Sequence, residues 1–222
     1  MSKKILGICA ALVALVALAV PSLASAAPTL EESGTPLAVG AKIKAIQDEH
    51  SVFESGGVQI TCSENWMTGE VHTNSDTNGI KGTITGASFK GTETGTKCNG
   101  GSLLGPTTVK IPALTNEGGT SHWCIENIAG VDEFEVLPHG CTETGGEFTF
   151  ILEGNLTCYF KRAAGIRGTF TTNSSPATLK VTGEPEFTKE NPSEFFCPGT
   201  GKITTMTFHL YTEDEITGIT IH

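Results

Sequence analysis

The chain has 222 residues, 14 basic and 24 acidic side chains and a net charge of −10, and its few Lys and Arg residues form no basic stripe. That balance excludes a phosphate-backbone footprint, and with it nucleic-acid binding, and argues against anionic membranes as partners. A content of 38% apolar and 17% charged residues, rich in Gly and Thr, is that of strands and tight turns in one domain or two small ones.

At the N-terminus, Lys3 and Lys4 precede an uncharged, mostly apolar run of 16 residues from Ile5 to Val20, followed by Ala24-Ser25-Ala26. This predicts a secretory signal over residues 1–26, cleaved after Ala26. The run falls short of the roughly 20 residues a membrane-spanning helix needs, so no span is expected after processing, and Cys9 lies too early for lipid modification at the cleavage site. Loss of Lys3 and Lys4 would take the net charge to −12. The expected location is extracellular or loosely surface-associated.

Residues 27–36 read as a flexible N-terminal arm, and 37–222 as an all-β region. Ile43 alternates with Ala45 as in a strand, although Lys42 to His50 could take a helical turn or two. Asn74-Ser75-Asp76-Thr77-Asn78-Gly79 is turn chemistry that also resembles the opening of a calcium loop. Position twelve is Thr85 rather than Glu, which favours a plain turn. Asn116-Glu117-Gly118-Gly119 and Asn191-Pro192 are further turns. Between them, Phe134 with Val136, Phe148 with Phe150 and Leu152, Leu156 with Cys158 and Phe160, Leu179 with Val181, and Met206 with Phe208 and Leu210 each keep to one face of a strand. About a dozen such strands predict an antiparallel sandwich or barrel.

Six cysteines follow the leader: Cys62, Cys98, Cys124, Cys141, Cys158 and Cys197. An even number in an exported chain predicts three disulfides, and the nearest pair is 17 residues apart, too far for a zinc knuckle. An internal repeat selects the pairing. Ile60-Thr61-Cys62, six residues and Gly69-Glu70-Val71-His72-Thr73-Asn74 are matched by Leu156-Thr157-Cys158, nine residues and Gly168-Thr169-Phe170-Thr171-Thr172-Asn173. In each case the second cysteine follows the Asn by 24 positions, with Phe89 and Phe187 at nearly the same place before it. Two related halves, at about 57–115 and 153–210, should pair their cysteines alike. That gives Cys62–Cys98 and Cys158–Cys197, leaving Cys124–Cys141.

Catalytic and metal signatures fail on spacing. The six histidines (His50, His72, His122, His139, His209 and His222) form no H-x-H, H-x3-H or H-E-x-x-H pattern, and no serine sits in G-x-S-x-G. Gly199-Thr200-Gly201-Lys202 lacks the flanking residues of a phosphate loop and reads as a turn. Glu133 and Glu135 share a strand face, as a glycosidase pair could, but read as the solvated side of Phe134 and Val136. Glu213-Asp214-Glu215 reads as a charged turn. Of the aromatic residues, Trp66, in what reads as a polar connection, is the candidate ligand contact, whereas Trp123 beside Cys124 reads as core.

With Phe195-Phe196-Cys197-Pro198, Gly168-Thr169-Phe170 and the six cysteines in view, the chain resembles small secreted cysteine-containing β-proteins of soil actinobacteria, a group with no assigned activity. The resemblance implies a bacterial exterior and no chemistry. The expectation is a non-catalytic extracellular or envelope-associated binding or structural protein without cofactor or metal, its partner a cell-envelope polysaccharide or an extracellular protein. The alternatives are a secreted inhibitor or effector acting on a protein, and an extracellular hydrolase of unfamiliar motif.

Overall fold

The computed structural model describes residues 27–75, 79–91, 97–112, 122–128, 131–137 and 147–222. The expected signal, the turn at 116–119, His139, Cys141 and residues 76–78 of the calcium-like loop lie outside the described residues.

The all-β expectation holds, and the architecture is a pair of closed barrels. Numbered along the chain, β1 (Leu30–Glu32) and β2 (Thr35–Pro36) join the last strand, β19 (Ile219–Ile221), in a small sheet of order β19-β1-β2. One barrel, here the upper, is closed by β3 (Lys42–Gln47), β6 (Glu64–Ser75), β7 (Gly79–Lys90), β10 (His122–Ile128), β11 (Val131–Leu137), β14 (Ile166–Phe170), β15 (Thr178–Val181) and β18 (Thr207–Thr212). The lower barrel is closed by β4 (Ser51–Ser55), β5 (Val58–Cys62), β8 (Cys98–Asn99), β9 (Pro106–Lys110), β12 (Phe148–Glu153), β13 (Thr157–Arg162), β16 (Glu186–Glu190) and β17 (Thr200–Thr205). A single helical turn, α1 (Gly101–Leu104), links β8 to β9. Every neighbouring pair in both barrels is antiparallel. No helix among the described residues is long and apolar enough to cross a membrane.

The chain alternates between the barrels. Only Ser63 separates β5 from β6 and only Met206 separates β17 from β18, so strands run on from one barrel into the other. Phe89, Ile203 and Met206 line interior space of both, which sets the barrels end to end around one continuous core. Around each ring the strands follow in chain order, making eight long staves of two strands each. The matched segments of the sequence repeat fall on β5–β6 and on β13–β14, four staves apart and therefore on opposite sides of the ring. Each barrel thus takes strands from both pseudo-repeats, and neither repeat closes a barrel alone.

Barrel closure explains the alternating faces: inward positions pack and outward positions meet water. Phe148, Phe150 and Leu152, Cys158 and Phe160, Phe134 and Val136, Ile43 and Ala45, and Phe208 and Leu210 are all buried, while Leu156, Leu179, Val181 and Met206 are half-buried. The segment from Lys42 is strand β3, not helix. In the lower barrel the rings of Phe53 and Phe150 stack with centroids 4.5 Å apart, and Phe160 and Phe187 stand 5.5 and 5.9 Å from Phe53. Gly201 faces this cluster: a Cβ there would lie 2.2 Å from the Phe53 ring. In the upper barrel Trp123 is buried, as its place beside Cys124 suggests, and its Nε1 donates to the carbonyl of Thr83 at 3.2 Å.

Cys62–Cys98 and Cys158–Cys197 are both bonded as the repeat requires. Cys124 is also disulfide-bonded. Residues 27–36 depart from expectation. Instead of a flexible arm they contribute β1 and β2, and Leu30 is fully buried. The Asn74 side chain clasps this segment, accepting from the Leu30 amide at 2.7 Å and donating to the carbonyls of Leu30 and Leu37 at 2.8 and 2.9 Å. One buried Leu in a three-residue strand leaves no period to read, and its partner, β19, lies at the far end of the sequence.

Candidate functional site

The loop Asn191–Gly199 joins β16 to β17 at the end of the lower barrel, and its backbone is fastened at Ser193, Glu194, Phe195, Cys197 and Gly199. Cys197 is bonded to Cys158 on β13. Ser193 Oγ accepts from the Tyr159 amide at 2.7 Å and donates to the Tyr159 carbonyl at 2.9 Å. The Glu194 carboxylate accepts from the Thr157 amide at 2.8 Å, and its own amide donates to the Thr157 carbonyl at 3.1 Å. Inside the loop, Lys189 Nζ donates to the carbonyls of Glu194, Phe195 and Cys197 at 3.1, 3.4 and 2.9 Å. Pro198 closes on Gly56, where a Cβ would come within 2.6 Å of its ring.

This scaffold holds two phenyl rings in solvent. Phe195 is 90% and Phe196 73% exposed, and the rings meet edge to face with centroids 5.5 Å apart. Adjacent Phe side chains on a fixed backbone have already lost the chain entropy that docking would otherwise cost, which makes them efficient anchors. The Ser193 and Glu194 side chains are engaged with the β13 backbone, and the two rings are the loop's main apolar surface.

Trp66, the sequence candidate, is placed differently from its expectation. It is a half-buried residue of β6, not part of a polar connection, and Lys44 Nζ lies 5.3 Å from its ring centroid. A cation over one face leaves less of the indole open than Phe195 offers. The structure does not bring Trp66 together with the Phe pair: Trp66 belongs to the upper barrel and the loop to the lower.

Glu133 and Glu135 flank buried Phe134 and Val136 as a solvated strand face would. Arg167 Nε donates to Glu135 at 3.0 Å, and that hydrogen bond holds the guanidinium above its ordinary pKa. Gly199-Thr200-Gly201-Lys202 leads into β17 rather than forming a turn, with Gly201 buried. The charged turn at 213–215 pairs Glu213 with Lys42 at 3.6 Å and Glu215 with Lys44. Asp214 there sits below its ordinary pKa because the Thr212 hydroxyl and the Ile216 amide donate to it. His209 lies 3.2 Å from Asp48, His222 3.3 Å from Glu31, and His72 3.3 Å from the Thr83 hydroxyl, each within a local pair. No group of three metal-ligating side chains occurs among the described residues.

No family model matches this sequence, and no curated protein or solved structure matches it either. The site therefore rests on geometry alone. The sequence held one sign of it: two consecutive Phe residues before Cys197 cannot both point into a barrel, because neighbouring side chains of an extended chain face opposite ways.

Proposed function

We propose that this is a non-catalytic binding protein working outside the cell, which docks Phe195 and Phe196 into an apolar cleft of an envelope-associated or extracellular protein. The carrying observation is the exposure of both rings on a loop fixed by Cys158–Cys197 and the Lys189 hydrogen bonds. The disulfides fit an oxidising compartment, and the Lys3-to-Ala26 leader fits export. Two exposed Phe rings packed edge to face suit an apolar protein cleft better than a polysaccharide, whose recognition needs hydrogen-bond donors and acceptors beside the ring. The acidic chain is unsuited to anionic lipid.

Sedimentation of the oxidised protein with insoluble cell-wall fractions, before and after protease treatment of the fraction, tests this reading. Saturable binding to the untreated fraction is expected, lost after protease treatment. F195S/F196S should weaken it at least thirtyfold, the scale of one hot-spot residue of about 2 kcal/mol. Its melting temperature should stay within a degree or so, because the rings touch mainly solvent and each other. Binding that survives F195S/F196S would overturn the proposal. Binding that survives protease treatment and falls with Trp66→Ala would transfer the function to a glycan contact at Trp66.

A further inference from the structure

The two barrels have the same number of strands but are filled differently. Four phenyl rings crowd the lower one, and about 10 Å³ of free space remains beside Phe53 and Phe150. The upper barrel sets aromatic rings such as Trp123 and Phe134 against small inward residues, Ala45 and Gly69 among them, and leaves about 80 Å³ of space open to the centre of a water molecule. One water needs roughly 10–15 Å³ of such space and two or more polar partners. The lining offers a single hydroxyl, Thr68, which already accepts from Thr85 Oγ1 at 3.0 Å. The Trp123 indole N–H is likewise committed, to Thr83. Such a cavity is roomy and hostile to water, the condition in which apolar cavities take up aromatic or alkyl molecules.

Part of the wall around this space is only half-buried. Leu179, Val181 and Met206 line the cavity and are half-buried, so a thin apolar wall separates it from solvent where β15 meets the junction of β17 and β18. The strand there is short, with three residues of β15 paired to each neighbour. Met206, unbranched and able to change rotamer, is a side chain suited to yield to an entering molecule.

We propose that the upper barrel is a binding site for a small uncharged apolar molecule, an aromatic ring or short alkyl chain, held by shape and burial without a directed polar contact. The site is separate from the Phe195 loop and stands or falls without it.

Benzene is the probe, and benzoate, the same ring carrying a charge, is its counterpart. The melting temperature of the oxidised protein should rise with benzene concentration and saturate, and methyl resonances of Ile43, Ile84 and Val136 should shift together, while benzoate does neither. Ala45→Leu puts an isobutyl group into the cavity and should weaken benzene binding at least tenfold. Val136→Leu serves the same purpose should Ala45→Leu fail to fold. No saturable response to benzene, an equal response to benzoate, or undiminished binding in a folded cavity-filling variant would each overturn the proposal.

Discussion

Replacing Cys158 and Cys197 together by Ser should lower the stability of the folded chain by about 4 kcal/mol, the chain-entropy value for a loop closed over 39 residues. For a protein of this size that corresponds to a fall in melting temperature of roughly 8–16 °C. The same variant removes the covalent tie between the Asn191–Gly199 loop and β13 and leaves only the Ser193 and Glu194 hydrogen bonds to hold it, so partner binding should fall even at temperatures where the barrels remain folded. Removing Cys62–Cys98, closed over 36 residues, should cost about as much stability. It should leave the loop in place and binding intact at low temperature. Calorimetry paired with the sedimentation assay separates the two effects. Equal binding losses in both variants would mean that the bond at Cys197 contributes only general stability.

The second large effect is expected from Phe53→Ala, which should destabilise by about 3–5 kcal/mol in urea or heat denaturation. Phe53 touches three other rings, and Gly201 leaves its backbone bare to admit the ring. Truncation therefore opens a void bounded by rigid barrel walls that cannot collapse to fill it. Phe53→Leu should recover more than half of the loss. Phe150→Ala added to Phe53→Ala should cost less than the two single changes together, because the pair shares one contact. A loss near 1 kcal/mol for Phe53→Ala would show that the lower barrel repacks freely and is not held by its ring cluster.

Much of this fold was legible in the sequence because a barrel wall imposes a period of two. Phe148-Thr149-Phe150-Ile151-Leu152 announces its buried face without any tertiary knowledge. The disulfides were legible for a different reason: the repeat places Cys62 and Cys158 on equivalent staves, so a pairing open to one is open to the other. The handing of strands between two barrels was not legible. Ser63 and Met206 are single residues that carry the chain from one ring to the next, and nothing in their chemistry distinguishes them from strand interior. The N-terminal segment was misread because β1 gains its stability from β19, nearly the whole sequence away. The Phe195 loop was visible as turn residues, a cysteine and two consecutive Phe residues that cannot both face a barrel interior. Its exposure depends on Lys189 and Ser193 fixing a backbone whose path no local pattern states. Trp66 was misplaced because Asn65, a buried polar residue whose Oδ1 accepts from the Lys90 amide at 3.0 Å, makes a strand look like a loop.

The opposition of β5–β6 and β13–β14 across the ring bears on how such a molecule can arise. Four staves, from β3 to β10, would end in two bare edges, and the second four, from β11 to β18, would do the same. The seams between them are β10 against β11 and β9 against β12 on one side, and β18 against β3 and β17 against β4 on the other. A rotation of half a turn exchanges one seam for the other, which is the arrangement two copies of a four-stave ancestor would adopt to cover each other's edges as a homodimer. Fusing the copies makes that closure intramolecular and independent of concentration. It also releases the halves from having to be identical, so that one seam can drift without its twin, and only one half need keep a Phe pair at its tip.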